Sequence, residues 1–188
     1  MAIRRIHITG SPVLHRRADE VTSFNRELAK LVRDMYKTMD AAPGVGLAAP
    51  QVGVGLRVFV YDYEDADGNP VRGEIINPEL EVGAIETEPA DFETEAEGCL
   101  SVPGERYALK RADWVKVNGV DLNQNPVAIE ATGWLARIFQ HEFDHLNGIL
   151  YVDRLSEPSA SEAATAIKNL GWGIDGLSWM PGKDDLDG

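Results

Sequence analysis

The chain has 188 residues, of which 44% are hydrophobic and 26% charged, and this is the size and composition of one soluble globular domain. It has neither an apolar run of the roughly 20 residues that a membrane span needs nor an N-terminal stretch typical of a secretory signal, so we expect a cytoplasmic protein. The net charge is −13, and residues 62–97 hold 13 acids against one base, a local net of −12. Without a basic stripe, direct nucleic-acid binding is not expected.

Hydrophobic spacing predicts the elements in chain order. Apolar residues recur at helical spacing over residues 25–39, which indicates a first helix. Two pairs of strands follow, each joined by a short turn, with the first turn over residues 66–70. The four predicted strands are residues 56–62, 71–78, 113–120 and 126–131. A second helix is expected from the N-cap residue Thr132 to the C-cap residue Gly148, and a third over residues 161–170.

Adjacent hairpins, rather than strands alternating with helices, predict an α+β fold. We expect mainly antiparallel sheets packed around a central helix, which carries the metal motif described next. The tail from Trp172 shows no periodicity. We expect a single domain over residues 1–188, in which residues 155–188 form a C-terminal extension with an acidic tail.

The segment QHEFDHLNG contains the pattern H-E-x-x-H at His141, Glu142 and His145. On a helix, residues four apart lie about 40° apart around the axis, so both imidazoles project from one face. Glu142 lies about 100° from His141, close enough to reach a metal's water instead of the metal. This is the arrangement of a metal hydrolase, with two nitrogen ligands and a general base. The alternative is a surface helix with two incidental histidines.

A catalytic metal site usually needs a third protein ligand. Tyr151 occupies the position of a third histidine in the extended motif, and the downstream acids Glu157 and Glu162 lie close to a helix break at Pro158. The ligand must therefore come from upstream. Cys99 is the best candidate because a thiolate binds borderline divalent metals well. As the only cysteine it cannot form an intramolecular disulfide, and without this context it would be read as a small buried residue.

The segment GVGLAAPQ, residues 44–51, is rich in glycine and ends in Gln51. It could be a turn leading into a strand. It is not a phosphate-binding loop, because no lysine follows the glycines. In a functional interpretation, Gly44 and Gly46 allow close approach of a substrate to the backbone, and the Gln51 amide donates to a developing oxyanion.

Together, GVGLAAPQ, EGCLS (residues 97–101) and HEFDH (residues 141–145), in this order and at similar spacing, resemble the three signature motifs of the peptide deformylase family. The resemblance extends over residues 11–155. It implies an enzyme that removes the formyl group from the N-terminus of nascent polypeptides.

The resemblance also implies the roles of the site residues. Cys99, His141 and His145 would hold one divalent metal, ferrous iron by preference, with zinc, nickel or cobalt as substitutes. Glu142 would take a proton from the attacking water, whose pKa the metal lowers. Gln51 and the backbone N–H of Leu100 would stabilise the oxyanion.

Substrate contacts are expected at six positions of the resemblance: Val45, Gly46, Glu97, Arg106, Arg137 and Ile138. Arg137 departs from the apolar residue that many members carry there, and we expect its stem to line the pocket while its guanidinium reaches the rim. The tail lacks the basic helix with which some relatives dock on the ribosome, so that mode is not carried over. We expect a monomer that acts on formyl-methionyl nascent peptides, with no membrane or nucleic-acid partner.

Three alternatives come from other classes. A zincin-type metallopeptidase shares H-E-x-x-H but requires a downstream ligand. A non-enzymatic metal protein would be expected to lose Glu142 or Gln51, and both are present. A cysteine hydrolase using Cys99 is disfavoured, because both helix histidines suit a metal better.

Overall fold

The computed structural model describes residues 2–64 and 68–184. The helices are α1 (Arg26–Ala41), α2 (Phe92–Glu95), α3 (Gly133–Leu146) and α4 (Ser159–Asn169). The strands are β1 (Ile6–His7), β2 (Gly46–Ala48), β3 (Val58–Glu64), β4 (Pro70–Val82), β5 (Ala96–Cys99), β6 (Val102–Ala108), β7 (Trp114–Val120), β8 (Pro126–Thr132) and β9 (Ser178–Trp179). Three short 3₁₀ turns lie at Pro12–His15, Ala49–Val52 and Tyr151–Arg154.

Five strands form one antiparallel sheet in the order β2-β3-β4-β7-β8. Two smaller antiparallel pairs, β5–β6 and β1–β9, complete the strand structure of the described residues. Leu100 and Ser101 alone connect β5 to β6, so Cys99 stands at the entrance to a tight turn. That turn faces α3 and the 3₁₀ turn Ala49–Val52, which is how residues distant in sequence meet.

The large sheet is covered on both faces because successive side chains of a strand point to opposite sides. Val58 and Val60 of β3 point to a core shared with α1, whose Leu28, Val32 and Met35 are buried there. The residues between and after them, Phe59 and Tyr61, point to a core shared with α3.

Phe139 of α3 packs against Tyr61, with 5.0 Å between the ring centroids, and against Phe59 at 5.9 Å. Complete burial of one such side chain stabilises the fold by about 1.5–3 kcal/mol. This packing fixes α3 against the sheet and thereby fixes the direction in which its histidines project.

The predicted α+β class with mainly antiparallel sheets is confirmed. The three predicted helices correspond to α1, α3 and α4, and both predicted hairpins are present, all within a few residues of the expected bounds. Gly148 has the positive φ (75°) expected of a residue that ends a helix. Thr132 precedes α3, but its side chain makes no capping hydrogen bond; Asp113 accepts from the Gly133 N–H instead. Residues 66 and 67 of the first predicted turn lie outside the described residues.

The tail, for which periodicity predicts no element, contains β9, and β1, β2, β5 and β6 were also not predicted. All five are seven residues or shorter, and such strands depend on pairing with distant partners more than on their own pattern. Within residues 2–64 and 68–184, no helix has both the length and the apolarity to cross a membrane.

Candidate metal centre and active site

The side chains of Cys99, His141 and His145 converge at one point between the β5–β6 turn and α3. Each offers one ligand atom, and these atoms all lie within 4.8 Å of one another. The Cys99 Sγ lies 3.3 Å from the His145 Nε2. Tetrahedral ligands bound at about 2.0–2.3 Å stand roughly 3.5 Å apart, so this donor set fits a divalent transition metal with one position left open.

A carboxylate supports the imidazole of His141 from behind. The Glu97 Oε2 lies 3.1 Å from the His141 Nδ1, which leaves the Nε2 of that ring for a metal. Burial alone would raise the pKa of Glu97, but hydrogen bonds from His141 and Arg111 outweigh it and hold that pKa well below the ordinary range. Glu97 is therefore an ionised group that orients the His141 imidazole.

The pKa values of the two histidines are shifted in opposite directions. Burial, together with the neighbouring His141, lowers the pKa of His145 well below its ordinary value, which keeps that ring neutral as a ligand must be. Burial also tends to lower the pKa of His141, but Cys99 and Glu97 outweigh it and raise that pKa well above the ordinary value. A thiolate and a carboxylate at these two positions would attract a divalent cation.

Glu142 is buried beside the candidate ligands and has an unusual environment. Its Oε2 has no hydrogen-bond partner among the described residues, which is uncommon for a buried polar atom. Burial raises its pKa to about 7, with partial compensation from His141 and Arg111. Its Oε1 would lie 2.3 Å from a Cβ added at Gly46, so only glycine leaves space for this carboxylate. A carboxyl group with a pKa near neutrality can both accept and return a proton.

Gln51 is buried and is oriented by the backbone. Its Oε1 accepts a hydrogen bond from the Ala48 N–H at 2.8 Å, so its amide nitrogen is the atom directed at the site. That nitrogen lies 3.7 Å from the Cys99 Sγ and 3.4 Å from the Ser101 Oγ. Leu100 follows Cys99 directly, and its side chain contacts the loop at Gly44.

The site opens into a pocket of about 650 Å³. All the expected substrate contacts line it: Val45, Gly46, Glu97, Arg106, Arg137 and Ile138. Among the described strands, β2 pairs with β3 alone and β5 with β6 alone, so each has one edge without a strand partner. Residues of both strands line the pocket, which gives it two walls to which an extended peptide could add.

The expectation for Arg137 is wrong in one respect. Its guanidinium does not reach the rim but is buried, where it donates to Glu97 Oε1 at 2.8 Å and to the Leu109 carbonyl at 2.7 Å. The physical reason is the buried negative charge of Glu97, which a cation must compensate. Since Arg111 also forms two hydrogen bonds to Glu97, this carboxylate is engaged with protein groups instead of being free for a substrate.

The groups that support the candidate ligands are not among the residues predicted from the sequence. Arg111 joins Glu97 to Asp144, at 2.7 Å from the Asp144 Oδ2, and nothing in the pattern around Arg111 indicates this. Asp144 could have been suspected from its position inside HEFDH. The Tyr151 ring stacks on His141 with centroids 6.1 Å apart, and its hydroxyl donates to the Glu105 carbonyl at 2.8 Å. Trp134 and three residues of the tail, Trp179, Gly182 and Asp184, also line the pocket.

Comparison with known proteins gives this geometry a family. A family model described as polypeptide deformylase matches residues 3–161. This chain belongs to the peptide deformylase family. A curated peptide deformylase of Mycolicibacterium paratuberculosis is 51% identical over 97% of this chain and 96% of the relative. A peptide deformylase structure from Legionella pneumophila has a TM-score of 0.77 at 38% identity, covering 90% of this chain and 96% of that chain. One from Thermotoga maritima has a TM-score of 0.70 at 42% identity, covering 83% and 99%.

Family membership decides between the hypotheses raised by the sequence. Peptide deformylases are metal-dependent hydrolases that remove N-formyl groups from nascent peptides, as the three motifs imply. The zincin-type alternative is not supported. The upstream position of Cys99 is consistent with this result, because the zincin pattern takes its third ligand from downstream of the helix.

Proposed function

We propose that this protein hydrolyses the formyl group of N-formyl-methionyl polypeptides with one divalent metal held by Cys99, His141 and His145. The observation that carries the proposal is the convergence of these three ligand atoms beside the unpartnered Glu142 carboxylate. The thiolate and two imidazoles suit ferrous iron, with zinc, nickel and cobalt as substitutes. When bound, the metal supplies Lewis-acid chemistry that brings the pKa of water from 15.7 towards about 7.

Glu142 moves the proton in the proposed reaction. Its carboxylate accepts a proton from the water that attacks the formyl carbon. It then gives this proton to the amine nitrogen as the C–N bond breaks, releasing formate and a free N-terminus. A pKa of about 7 supports both halves of this role near neutral pH.

Gln51 and Leu100 are proposed to stabilise the charge that develops on the formyl oxygen. Because the Gln51 carbonyl is occupied by the Ala48 N–H, the amide can only present its N–H groups. The backbone N–H of Leu100 would be the second donor. Removal of one such donor typically lowers turnover by about 10²–10³.

The peptide is proposed to lie extended between the free edges of β2 and β5, with main-chain hydrogen bonds to both. Val45, which directly precedes β2, is 46% exposed, and Gly46, Arg106 and Ile138 line the same pocket. Glu97 and Arg137 are proposed to influence the bound peptide through their charges and their positions in the pocket wall, because both side chains are already hydrogen-bonded to protein groups. We further propose a cytoplasmic monomer that forms one domain and binds no nucleic acid.

Anaerobic purification with metal analysis and a formate-release assay on a formyl-Met tripeptide tests the proposal. We expect one metal ion per chain, and loss of activity with a chelator that is reversed by Fe²⁺ or Ni²⁺. Cys99→Ala should lose both metal and activity. Full activity in chelated, metal-free protein would contradict the proposed site.

A further inference from the structure

The C-terminal tail packs against the active site, although it lies beyond residues 3–161 that the family model matches. Strand β9 pairs with β1, opposing Trp179 to Ile6 and Ser178 to His7. Arg5 holds this pairing from outside: its guanidinium donates to the Ser178 hydroxyl at 2.8 Å and to the Asp184 Oδ2 at 3.1 Å. Trp179 is 6% exposed and belongs to the core that also contains Ile6 and Leu47.

The indole of Trp179 makes a direct hydrogen bond to the turn that follows Cys99. Its Nε1–H donates to the Leu100 carbonyl at 2.8 Å. The next carbonyl, that of Ser101, accepts from the Thr9 N–H at 2.8 Å. The two carbonyls of this two-residue turn are therefore each held by a hydrogen bond, one from Trp179 of β9 and one from Thr9, two residues after β1. On its other side the turn presents the Cys99 thiol to His145.

We propose that Trp179 is a positioning residue: its hydrogen bond to the Leu100 carbonyl sets the orientation of the Leu100 peptide groups in the active site. The inference rests on the proposed function, in which the Leu100 N–H donates to the developing oxyanion. The turn has only two residues, so freedom gained at the Leu100 carbonyl is transmitted to the N–H on the same Cα. A full misplacement of about 1 Å at a reacting group costs roughly 10²-fold in rate, so the smaller freedom gained when one hydrogen bond is lost should cost less than that.

Trp172 offers a matched control. It lies in the same tail, is partly buried, and packs against the same core as Trp179. Within residues 2–64 and 68–184, its indole N–H donates no hydrogen bond. Trp179→Phe and Trp172→Phe make the same chemical change in the same tail, while only the first removes a bond to the active-site turn.

We expect Trp179→Phe to lower kcat by about 3- to 10-fold, because this is the rate equivalent of the net free energy of one ordinary hydrogen bond. KM should be unchanged and the metal should be retained. The loss should be equal for formyl-Met dipeptides and tripeptides. Hydrogen exchange of the Leu100 and Ser101 amides should be faster than in Trp172→Phe, in metal-free as well as metal-loaded protein. Trp172→Phe should keep the kcat of the unmodified protein.

Trp179 also lines the pocket, so a direct substrate contact is the competing explanation. A change confined to KM, or one that grows with peptide length, would support that explanation and overturn the positioning role. Unchanged kcat and unchanged amide exchange would also overturn it. If Trp179→Phe does not fold, site-specific benzothienylalanine at position 179 keeps the bicyclic shape, lacks the N–H and gives the same comparison. Failure of the unmodified protein to release formate would instead contradict the proposed function, while amide exchange would still test the contact.

Discussion

Glu142 and Gly46 are in contact across the active site, and each limits the other. The buried Glu142 Oε2 has no partner in the described part of the chain, while Oε1 would lie only 2.3 Å from a Cβ added at residue 46. A purely structural carboxylate would be paired, because an unsatisfied buried polar group costs about 1–3 kcal/mol. The arrangement is better explained by a group that meets its partner when water or substrate enters.

Glu142→Gln keeps the shape of the side chain and removes its ability to take a proton. We expect kcat to fall by about 10²–10⁴, with metal content unchanged, because general acid–base catalysis contributes about that much. Metal analysis and formate release from the same preparation measure both quantities. Loss of metal with normal activity per metal ion would assign Glu142 to metal binding instead.

Gly46→Ala tests the contact from the other side. The new methyl group must displace the Glu142 carboxylate, and a shift of about 1 Å is expected to lower kcat by roughly 10²-fold. Gly55→Ala is the control, since its Cβ would make only ordinary van der Waals contacts, with the Arg16 guanidinium at 3.5 Å and the Val13 side chain at 3.9 Å. If the two variants have equal activity, the space at Gly46 is not required for Glu142.

At the scale of elements, Arg111 joins β5 to α3. Its guanidinium bonds Glu97 of β5 and Asp144 of α3, and all three side chains are nearly inaccessible. Arg111→Met would leave two buried carboxylates with fewer partners, so we expect the free energy of unfolding to fall by about 3–5 kcal/mol.

Chemical denaturation of the Arg111→Met protein measures this loss. Lys116→Met is the control, because the Lys116–Glu130 pair is exposed and such pairs contribute about 0–1 kcal/mol. Similar stability of the two variants would show that the buried charges can rearrange or take up protons at little cost.

Helix α1 is joined to the N-terminal segment by Asp34. Burial alone would raise the pKa of Asp34, but hydrogen bonds from Lys30, the Ala2 amide and Arg4 lower it from 3.8 to about 2. A depressed folded-state pKa contributes stability that is present above the unfolded value and is lost as pH falls through the folded value. The affected window therefore runs from about pH 4 down to pH 2.

Asp34→Asn should remove this contribution, lowering the free energy of unfolding at pH 7 by about 1–2 kcal/mol. The difference from the unmodified protein should shrink as pH falls from 4 to 2. Denaturation curves at several pH values measure it. Asp40→Asn, in the exposed last turn of the same helix, is the control; an equal, pH-independent loss in both variants would refute the linkage.

At the scale of the whole molecule, the proposed selectivity depends on bringing separate segments of the chain to one carbonyl group. In the proposed site, the metal held by residues of α3 and β5 would define one side of the reacting carbon, and Gln51, from the 3₁₀ turn after β2, would define another. We expect formyl-Met peptides to be cleaved at least about 10²-fold faster than acetyl-Met peptides, because one added methyl group displaces the carbon from attack geometry. Matched tripeptides and casein are the substrates to compare. Equal rates on both peptides, or cleavage of casein, would contradict this geometry.

Much of this fold and site could be predicted from the sequence, because the relevant spacings are local. The period of α1, the two hairpins and the common face of His141 and His145 follow from 3.6 residues per turn and from alternation in strands. The resemblance of the three motifs to one family also predicted that Cys99 and Gln51 lie beside that helix. A cysteine, two histidines and a glutamine in this combination suit few kinds of site other than a catalytic metal centre.

What only the tertiary structure decided depends on contacts between distant segments. Arg137 turns inward because Glu97 is buried beside it, and Arg111 reaches Asp144 across 33 positions of the chain. Trp179 reaches Leu100 across 79 positions, through a two-residue strand whose own sequence has no period. Such contacts are selected by packing and by the compensation of buried polar groups in three dimensions, which hydrophobic spacing along a single chain does not encode.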